Sequence, residues 1–355
     1  MTEYTSKEGH YPISSSPFAA HGRLGAREKG IPFNLVFEIT DRCSGGCLYC
    51  YSSSTEKSHN TIPVERIRTV IDEAAEIGIR GVTWPGGDPL LHPHWIEALN
   101  HATSRGLYNL MIALNLMAVS MEKARQLAEE VKVEIVMLHF DTLDPDVYAQ
   151  LHRDPSTLEK KKQGFRNLLE AGIPPGKMYG CMSLSKPTMK DYRETIDWFV
   201  DEVGVKNFFF SPYKPTGSFA PTHRHLELSL SDYREAFTYR SEKLGHPELL
   251  RMGVSDGVDF CQTHIYIKSD GGVIPCSLMR EVVCGNIYEE PLEKILRENR
   301  KELLFHYPVE GYCGEECYNR DVCFGCRANA FHYLGDRRAS DPKCWLNPRS
   351  CEQEI

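Results

Sequence analysis

The sequence predicts an α/β fold: a partial (β/α)6 barrel followed by a cysteine-rich C-terminal extension. Three observations carry this. Six short, β-rich apolar runs alternate with amphipathic stretches between residues 33 and 217. The alternation stops after Pro215-Thr216-Gly217. Nine of the thirteen cysteines then fall between Cys261 and Cys351, where continuous apolar segments are scarce.

Residues 1–32 are polar, rich in Ser, Gly and Pro, and read as an N-terminal arm. Strands are expected at Phe33–Ile39, Gly81–Trp84, Leu110–Leu114, Val133–Phe140, Met178–Leu184 and Val205–Ser211. Helices are expected between them at Val64–Ile77, His94–Ser104, Met121–Val131, Thr157–Ala171 and Met189–Val203. Strand, helix, strand at this spacing means right-handed βαβ units and a parallel sheet. About six units make an open barrel rather than a closed one of eight, with chemistry at the C-terminal strand ends. Residues 33–217 are therefore expected to form the barrel, 218–260 linker helices and 261–355 the extension. The extension is expected to hold a hairpin (Thr263–Ile267 and Val273–Cys276 across Asp270-Gly271-Gly272) and one helix, Pro291–Lys301. A segment this poor in core needs metal to hold it together.

A net charge of −8 provides no broad basic field, which argues against nucleic acid or acidic lipid as partner. No apolar run is long enough to span a bilayer. The first residues lack the layout of a secretion signal, so the expected location is the cytoplasm. In a reducing compartment, clustered cysteines bind metal or catalyse more often than they form disulfides.

The first cluster reads Cys43-Ser-Gly-Gly-Cys47-Leu-Tyr-Cys50, a few residues after the first strand. Three thiolates on one loop ligate three irons of a [4Fe–4S] cubane and leave the fourth open. That iron is free to bind the amino and carboxylate groups of S-adenosyl-L-methionine and pass an electron to its sulfonium, yielding a 5′-deoxyadenosyl radical. Zinc normally takes four closed ligands, which three cysteines without a nearby His do not supply.

These residues resemble the radical SAM superfamily. Cys43, Cys47 and Cys50 match its CxxxCxxC signature, and Tyr49 stands at the aromatic position that lies against adenine. Gly86-Gly87-Asp88-Pro89, after the second strand, matches the GGEP motif with Asp in place of Glu. The resemblance implies that its backbone receives the methionine amino group. Asn115 sits where many members have Thr-Asn-Gly, and His139 and Asp141 where members carry Ser-Leu-Asp. Ser183 and Ser185 end the fifth strand, within reach of the SAM ribose. For each of these, a hydrogen bond that merely closes a strand end is an equal reading.

Further on, Cys261, Cys276, Cys313, Cys317, Cys323, Cys326 and Cys344 supply seven thiols, one fewer than two fully cysteine-ligated [4Fe–4S] clusters use. Zinc knuckles are the competing reading. The order resembles the SPASM extension of radical SAM proteins, with internal spacing x3, x5, x2 in place of x2, x5, x3. The resemblance implies a distal cluster on Cys313, Cys317, Cys323 and Cys344, and a proximal one on Cys261, Cys276 and Cys326. Cys284 is the candidate fourth proximal ligand. Cys181 and Cys351 read as a buried small residue and a free tail thiol.

The run from Cys326-Arg-Ala-Asn-Ala to Asp341-Pro342-Lys343-Cys344-Trp345 resembles SPASM enzymes of cofactor biosynthesis. Sulfatase-maturating members carry an Asp just after the hairpin cysteine, where this chain has Ser277. The expected function is hydrogen abstraction from a peptide side chain or cofactor precursor, with reduction by a flavodoxin or ferredoxin. Only a short arm precedes the first strand, so either a separate protein binds a leader peptide or the substrate is a small molecule. The alternatives are a tetrapyrrole side-chain decarboxylase and a non-catalytic iron–sulfur or zinc protein. Phe208–Phe210, Tyr213, Phe331 and Tyr333 are either pocket lining or core, and Lys214 and Arg327 either carboxylate contacts or solvated loop-end cations.

Overall fold

The computed structural model describes residues 23, 25–217, 224–247, 250, 253–254, 261–321 and 323–350, and a backbone pairing of Thr5–Ser6 with Gly9–His10. Most of the expected arm, part of the expected linker, and Cys351 lie outside the described residues.

Six strands form the barrel wall: β1 (Asn34–Phe37), β2 (Gly81–Trp84), β3 (Tyr108–Leu114), β4 (Ile135–His139), β5 (Met178–Leu184) and β6 (Asn207–Pro212). They lie side by side in chain order, all parallel. β1 is buried along its whole length, as a parallel strand covered on both faces should be. Helix α1 (Val64–Ile77) buries Val64, Ile67, Val70, Ile71 and Ala74, one stripe at helical period. It ends at Gly78, whose φ of 100° suits a residue without Cβ. Helices α2 (Trp95–Ser104), α3 (Met121–Glu129), α4 (Pro145–Leu151) and α5 (Thr157–Glu170) follow, with α4 packed against Tyr49 and Tyr213.

Two differences from the sequence reading matter. The stretch expected as one helix over 189–203 is broken into α6 (Tyr192–Asp197) and a π-helical turn, Trp198–Val203. Helix α4 was not expected; Asp144 caps it by accepting from the Asp146 and Val147 N–H groups.

After helix α7 (Leu230–Lys243) the chain returns as β7 (His264–Ile267), β8 (Gly272–Ile274) and β9 (Gly285–Asn286). The expected hairpin is β7–β8, but β7 also pairs in parallel with β1, from Asn34↔His264 to Phe37↔Ile267. The result is one nine-stranded sheet, order β9-β8-β7-β1-β2-β3-β4-β5-β6. One hydrophobic core runs from Leu35 and Phe37 through Phe210 to Ile265, Ile295 and Leu304. Helices α8 (Leu292–Leu303), α9 (Tyr312–Glu315) and α10 (Arg327–Leu334) carry the rest of the extension. Among the described residues, no helix is long and apolar enough to cross a membrane.

Candidate active site

The barrel residues expected to hold the cluster and SAM follow a strand or lie near its end, on one side of the sheet. Cys43 follows β1, Gly86 follows β2, Asn115 follows β3, Asp141 follows β4, and Ser183 closes β5.

The cysteine loop is built so that its thiols converge. A Cβ on Gly45 would stand 3.3 Å from Cys43 Sγ and 3.5 Å from Cys47 Sγ. Gly45 N–H donates to Cys43 Sγ at 3.3 Å, and Asn115 Nδ2 donates to the same sulfur at 3.0 Å. Burial pushes the Cys43 thiol up, with the Asp88 carboxylate and the Cys47 thiol adding to it. Burial also pushes up Cys50. For Cys47 burial acts the same way, but His152 and His139 overcome it and hold this thiol well below its ordinary value.

The Gly86–Pro89 turn packs directly on the strand leading into that loop. Gly86 has φ of 125°, and a Cβ on Gly87 would lie 2.1 Å from the Arg42 carbonyl oxygen, so neither tolerates a side chain. Asp88 is fully buried. Its Oδ1 caps the Pro89–Leu91 turn, while Oδ2 has no hydrogen-bond partner among the described residues. Burial raises its pKa to about 6, against the Leu90 N–H and Lys123. A buried, unpartnered carboxylate oxygen near the Cys43 thiol fits a cationic group, such as the amino group of SAM.

Asp141, itself buried, centres a second network. It accepts from Ser183 N–H at 2.8 Å, from His152 Nε2 at 3.0 Å, and from the Tyr49 hydroxyl. His139 lies 3.2 Å from it and 3.2 Å from the Tyr49 oxygen. His152 donates through Nδ1 to the Gly45 carbonyl at 3.1 Å. Both ring nitrogens face oxygen acceptors, an arrangement that favours the protonated ring. Burial would lower its pKa, but Cys47 and Asp141 raise it. Burial works against the Asp141 anion too, and His139 and His152 prevail, holding it well below the carboxylate range. Tyr148 stacks on His152 at 3.9 Å. His139 is thus tied to Tyr49, Asp141 and Ser183 rather than standing alone.

In the extension the thiols fall into two groups. Cys261, Cys276 and Cys326 pack together around Met279, Phe305 and Ala328. Burial raises the Cys276 thiol to about 12, with Cys326 adding to it. Burial likewise raises Cys323 to about 12, with Cys313 and Cys317 adding, and Cys323 in turn acts on Cys344. Asp341, wholly buried, ties the groups together. It accepts from Cys326 N–H at 2.8 Å and Lys343 N–H at 2.9 Å, and its own N–H donates to Cys313 Sγ at 3.4 Å.

Cys284 does not join the first group. It packs against the main core, and the charges acting on its thiol are Glu302 and Arg337. It directly precedes β9, which pairs with β8, and its N–H donates to the Val273 carbonyl. Arg327, for which a solvated loop-end cation was one of two readings, is buried. Phe208 and Phe210 are core, whereas Phe209 between them is exposed. Tyr213 packs with Tyr49, and Tyr333 donates to Glu227 at 2.7 Å.

Sequence reasoning missed the residues between the two thiol regions. Tyr51 directly follows Cys50, and its phenol is acted on by Glu38, Arg280, Cys50 and Cys43. Tyr266, on β7, is acted on by Cys276, Cys261 and Tyr51. Arg280 and Glu38 form a bidentate pair at 2.8 and 2.9 Å. His152 was missed as well; it follows α4, a helix the sequence pattern did not reveal.

Among the described residues, no group of three His, Cys, Asp or Glu side chains is arranged around a single metal ion. A cubane makes a different demand, since each thiolate takes its own iron.

Comparison with known proteins decides the family. The Radical SAM superfamily profile matches residues 37–199, and that of an iron–sulfur cluster-binding domain, SPASM, matches 261–327. The chain belongs to the radical SAM superfamily. This radical SAM enzyme carries a SPASM extension, and with them a SAM-binding [4Fe–4S] cluster and auxiliary iron–sulfur clusters. It is 23% identical to the AdoMet-dependent heme synthase of Oleidesulfovibrio alaskensis, over 89% of this chain and 87% of that protein. It is 24% identical to the PqqA peptide cyclase of Streptomyces rochei, over 90% of this chain and 91% of that protein. In fold it resembles Streptococcus suis SuiB bound to its precursor peptide SuiA, with a TM-score of 0.70 at 16% identity, over 97% of this chain and 84% of SuiB.

Proposed function

We propose that this radical SAM enzyme abstracts hydrogen from a side chain of a peptide, held in the barrel mouth between the two thiol regions. The bound cluster and SAM together supply a 5′-deoxyadenosyl radical. The chain's own residues do the rest. Cys43, Cys47 and Cys50 hold the SAM-binding cluster. Tyr49, the Gly86–Pro89 turn, Asn115 and Ser183 hold SAM. Cys313, Cys317, Cys323 and Cys344 hold the distal auxiliary cluster, and Cys261, Cys276 and Cys326 the proximal one. Residues 33–217 act as the catalytic barrel, 218–260 as linker and 261–355 as the electron-handling extension. A soluble flavodoxin or ferredoxin in the cytoplasm reduces the enzyme, and a separate protein delivers the peptide.

The observation that carries this reading is a pair of phenols, Tyr51 directly after Cys50 and Tyr266 on β7 of the hairpin, each acted on by the thiols of its own region and Tyr266 also by Tyr51. Around them the ionic groups are largely spent: Arg280 is held bidentately by Glu38. A mouth of aromatic and neutralised groups suits a peptide side chain. A carboxyl-rich tetrapyrrole is the second reading, favoured by the likeness to heme synthases and by Lys214, whose charge acts on Cys276. The test uses reconstituted enzyme, SAM and dithionite with deuterated candidate peptides encoded beside its gene. Deuterium in 5′-deoxyadenosine from a peptide supports the first reading. Carbon dioxide release from a propionate-bearing tetrapyrrole, with no transfer from any peptide, supports the second.

A further inference from the structure

Arg327 opens helix α10, directly after Cys326, and is 1% exposed. Its guanidinium is fixed on three sides. Nη1 donates to the carbonyls of Arg337 and Ala339, both at 2.8 Å, and Nε donates to Gly325 at 3.3 Å. Nη2 is buried and has no hydrogen-bond partner among the described residues. Nor does any carboxylate there come within ion-pair distance of this side chain.

The loop before it is shaped to bring that nitrogen toward sulfur. A Cβ on Gly325 would lie 2.9 Å from Arg327 Nη2 and 3.0 Å from Cys313 Sγ. Gly325 itself has φ of 64°, so a glycine both makes the turn and leaves the gap. The arginine is therefore next in sequence to one thiol group and beside the other in space.

The neighbouring Asp341 carboxylate is already taken up by Cys326 N–H, Asn329 Nδ2 and Lys343 N–H. A buried guanidinium with no ion-pair partner is costly, since its charge persists at any physiological pH. A cysteine-ligated iron–sulfur cluster is anionic, and its sulfurs accept hydrogen bonds. On the reading that the extension's thiols hold two clusters, we infer that Arg327 is a positioning residue shared by both. It directs Nη2–H at cluster sulfur and holds both reduction potentials up. Reduction adds one negative charge to a cluster, so a fixed cation beside it favours the reduced form. Loss of the cation lowers the potential.

The experiment is an EPR-monitored redox titration of the full chain after anaerobic reconstitution, with Arg327→Gln and Arg327→Lys beside wild type. The signal that changes on adding SAM marks the barrel cluster, an internal reference whose potential stays put. Arg327→Gln is expected to cut the reduced-to-oxidised ratio of the auxiliary clusters at least tenfold at a fixed potential, a shift of about 59 mV for a one-electron couple. Arg327→Lys keeps the charge and shifts less. Because only cluster-bearing molecules have a signal, incomplete loading of a variant does not obscure the result. Auxiliary potentials in Arg327→Gln equal to wild type would overturn the inference and leave Arg327 as a strap on the 337–339 carbonyls. Zinc in place of iron in the wild-type extension would overturn the underlying reading as well, and is seen before any variant is made.

Discussion

A single methyl group at residue 45 would sit 3.3 and 3.5 Å from two of the three barrel thiols. Gly45→Ala should therefore crowd the SAM-binding cluster: at least a twofold fall in its EPR signal after reconstitution is expected, with the auxiliary signals intact. His152 acts on the same loop from below. His152→Ala removes the donors to the Gly45 carbonyl and Asp141, leaving a buried carboxylate short of a partner. Breaking such a pair costs about 3–5 kcal/mol, to be read by anaerobic denaturant unfolding. The two residues differ in how visible they were. Gly45 stands inside a cysteine motif whose spacing states its chemistry. His152 reaches Gly45 across 107 residues of chain, so only the folded loop brings them together.

At the scale of elements, the turn after β3 rests on helix α5. A Cβ on Gly164 would fall 2.0 Å from the Leu116 carbonyl oxygen. Leu116 already has φ of 75°, a strained value for a residue with a side chain, and the preceding Asn115 donates to Cys43. Gly164→Ala is expected to push this turn toward the thiols, costing about 1–3 kcal/mol by overpacking. Denaturation and the EPR signal of the barrel cluster should fall together. Helix α1 was legible to the residue, because fourteen positions repeat one apolar stripe. Helix α4 was not: seven residues hold too little periodicity, and its cap at Asp144 is a local signal the longer pattern hides. Over 189–203 the apolar spacing is helical, but a π turn at Trp198–Val203 resets it.

The molecule as a whole is joined by one sheet. The sequence showed a hairpin in the extension, yet nothing in a period-two pattern says which barrel strand it will meet. β7 meets β1, more than two hundred residues earlier, and Arg280 beyond the hairpin clamps Glu38 beyond β1. The barrel and extension are thus expected to be one folding unit. A chain of residues 33–217 alone would bare the β1 edge, with Leu35 and Phe37 beside it, and should aggregate where the full chain stays soluble, as sedimentation would record.

One sheet thus carries both a SAM-cleaving centre and auxiliary clusters. Anaerobic reconstitution, with iron, sulfide and zinc counts and a dithionite-plus-SAM assay for 5′-deoxyadenosine, tests it most directly. Three cubanes predict about twelve irons per chain together with 5′-deoxyadenosine. Zinc in the extension with about four irons would contradict the auxiliary clusters, and full iron loading without SAM cleavage would contradict the catalytic centre itself.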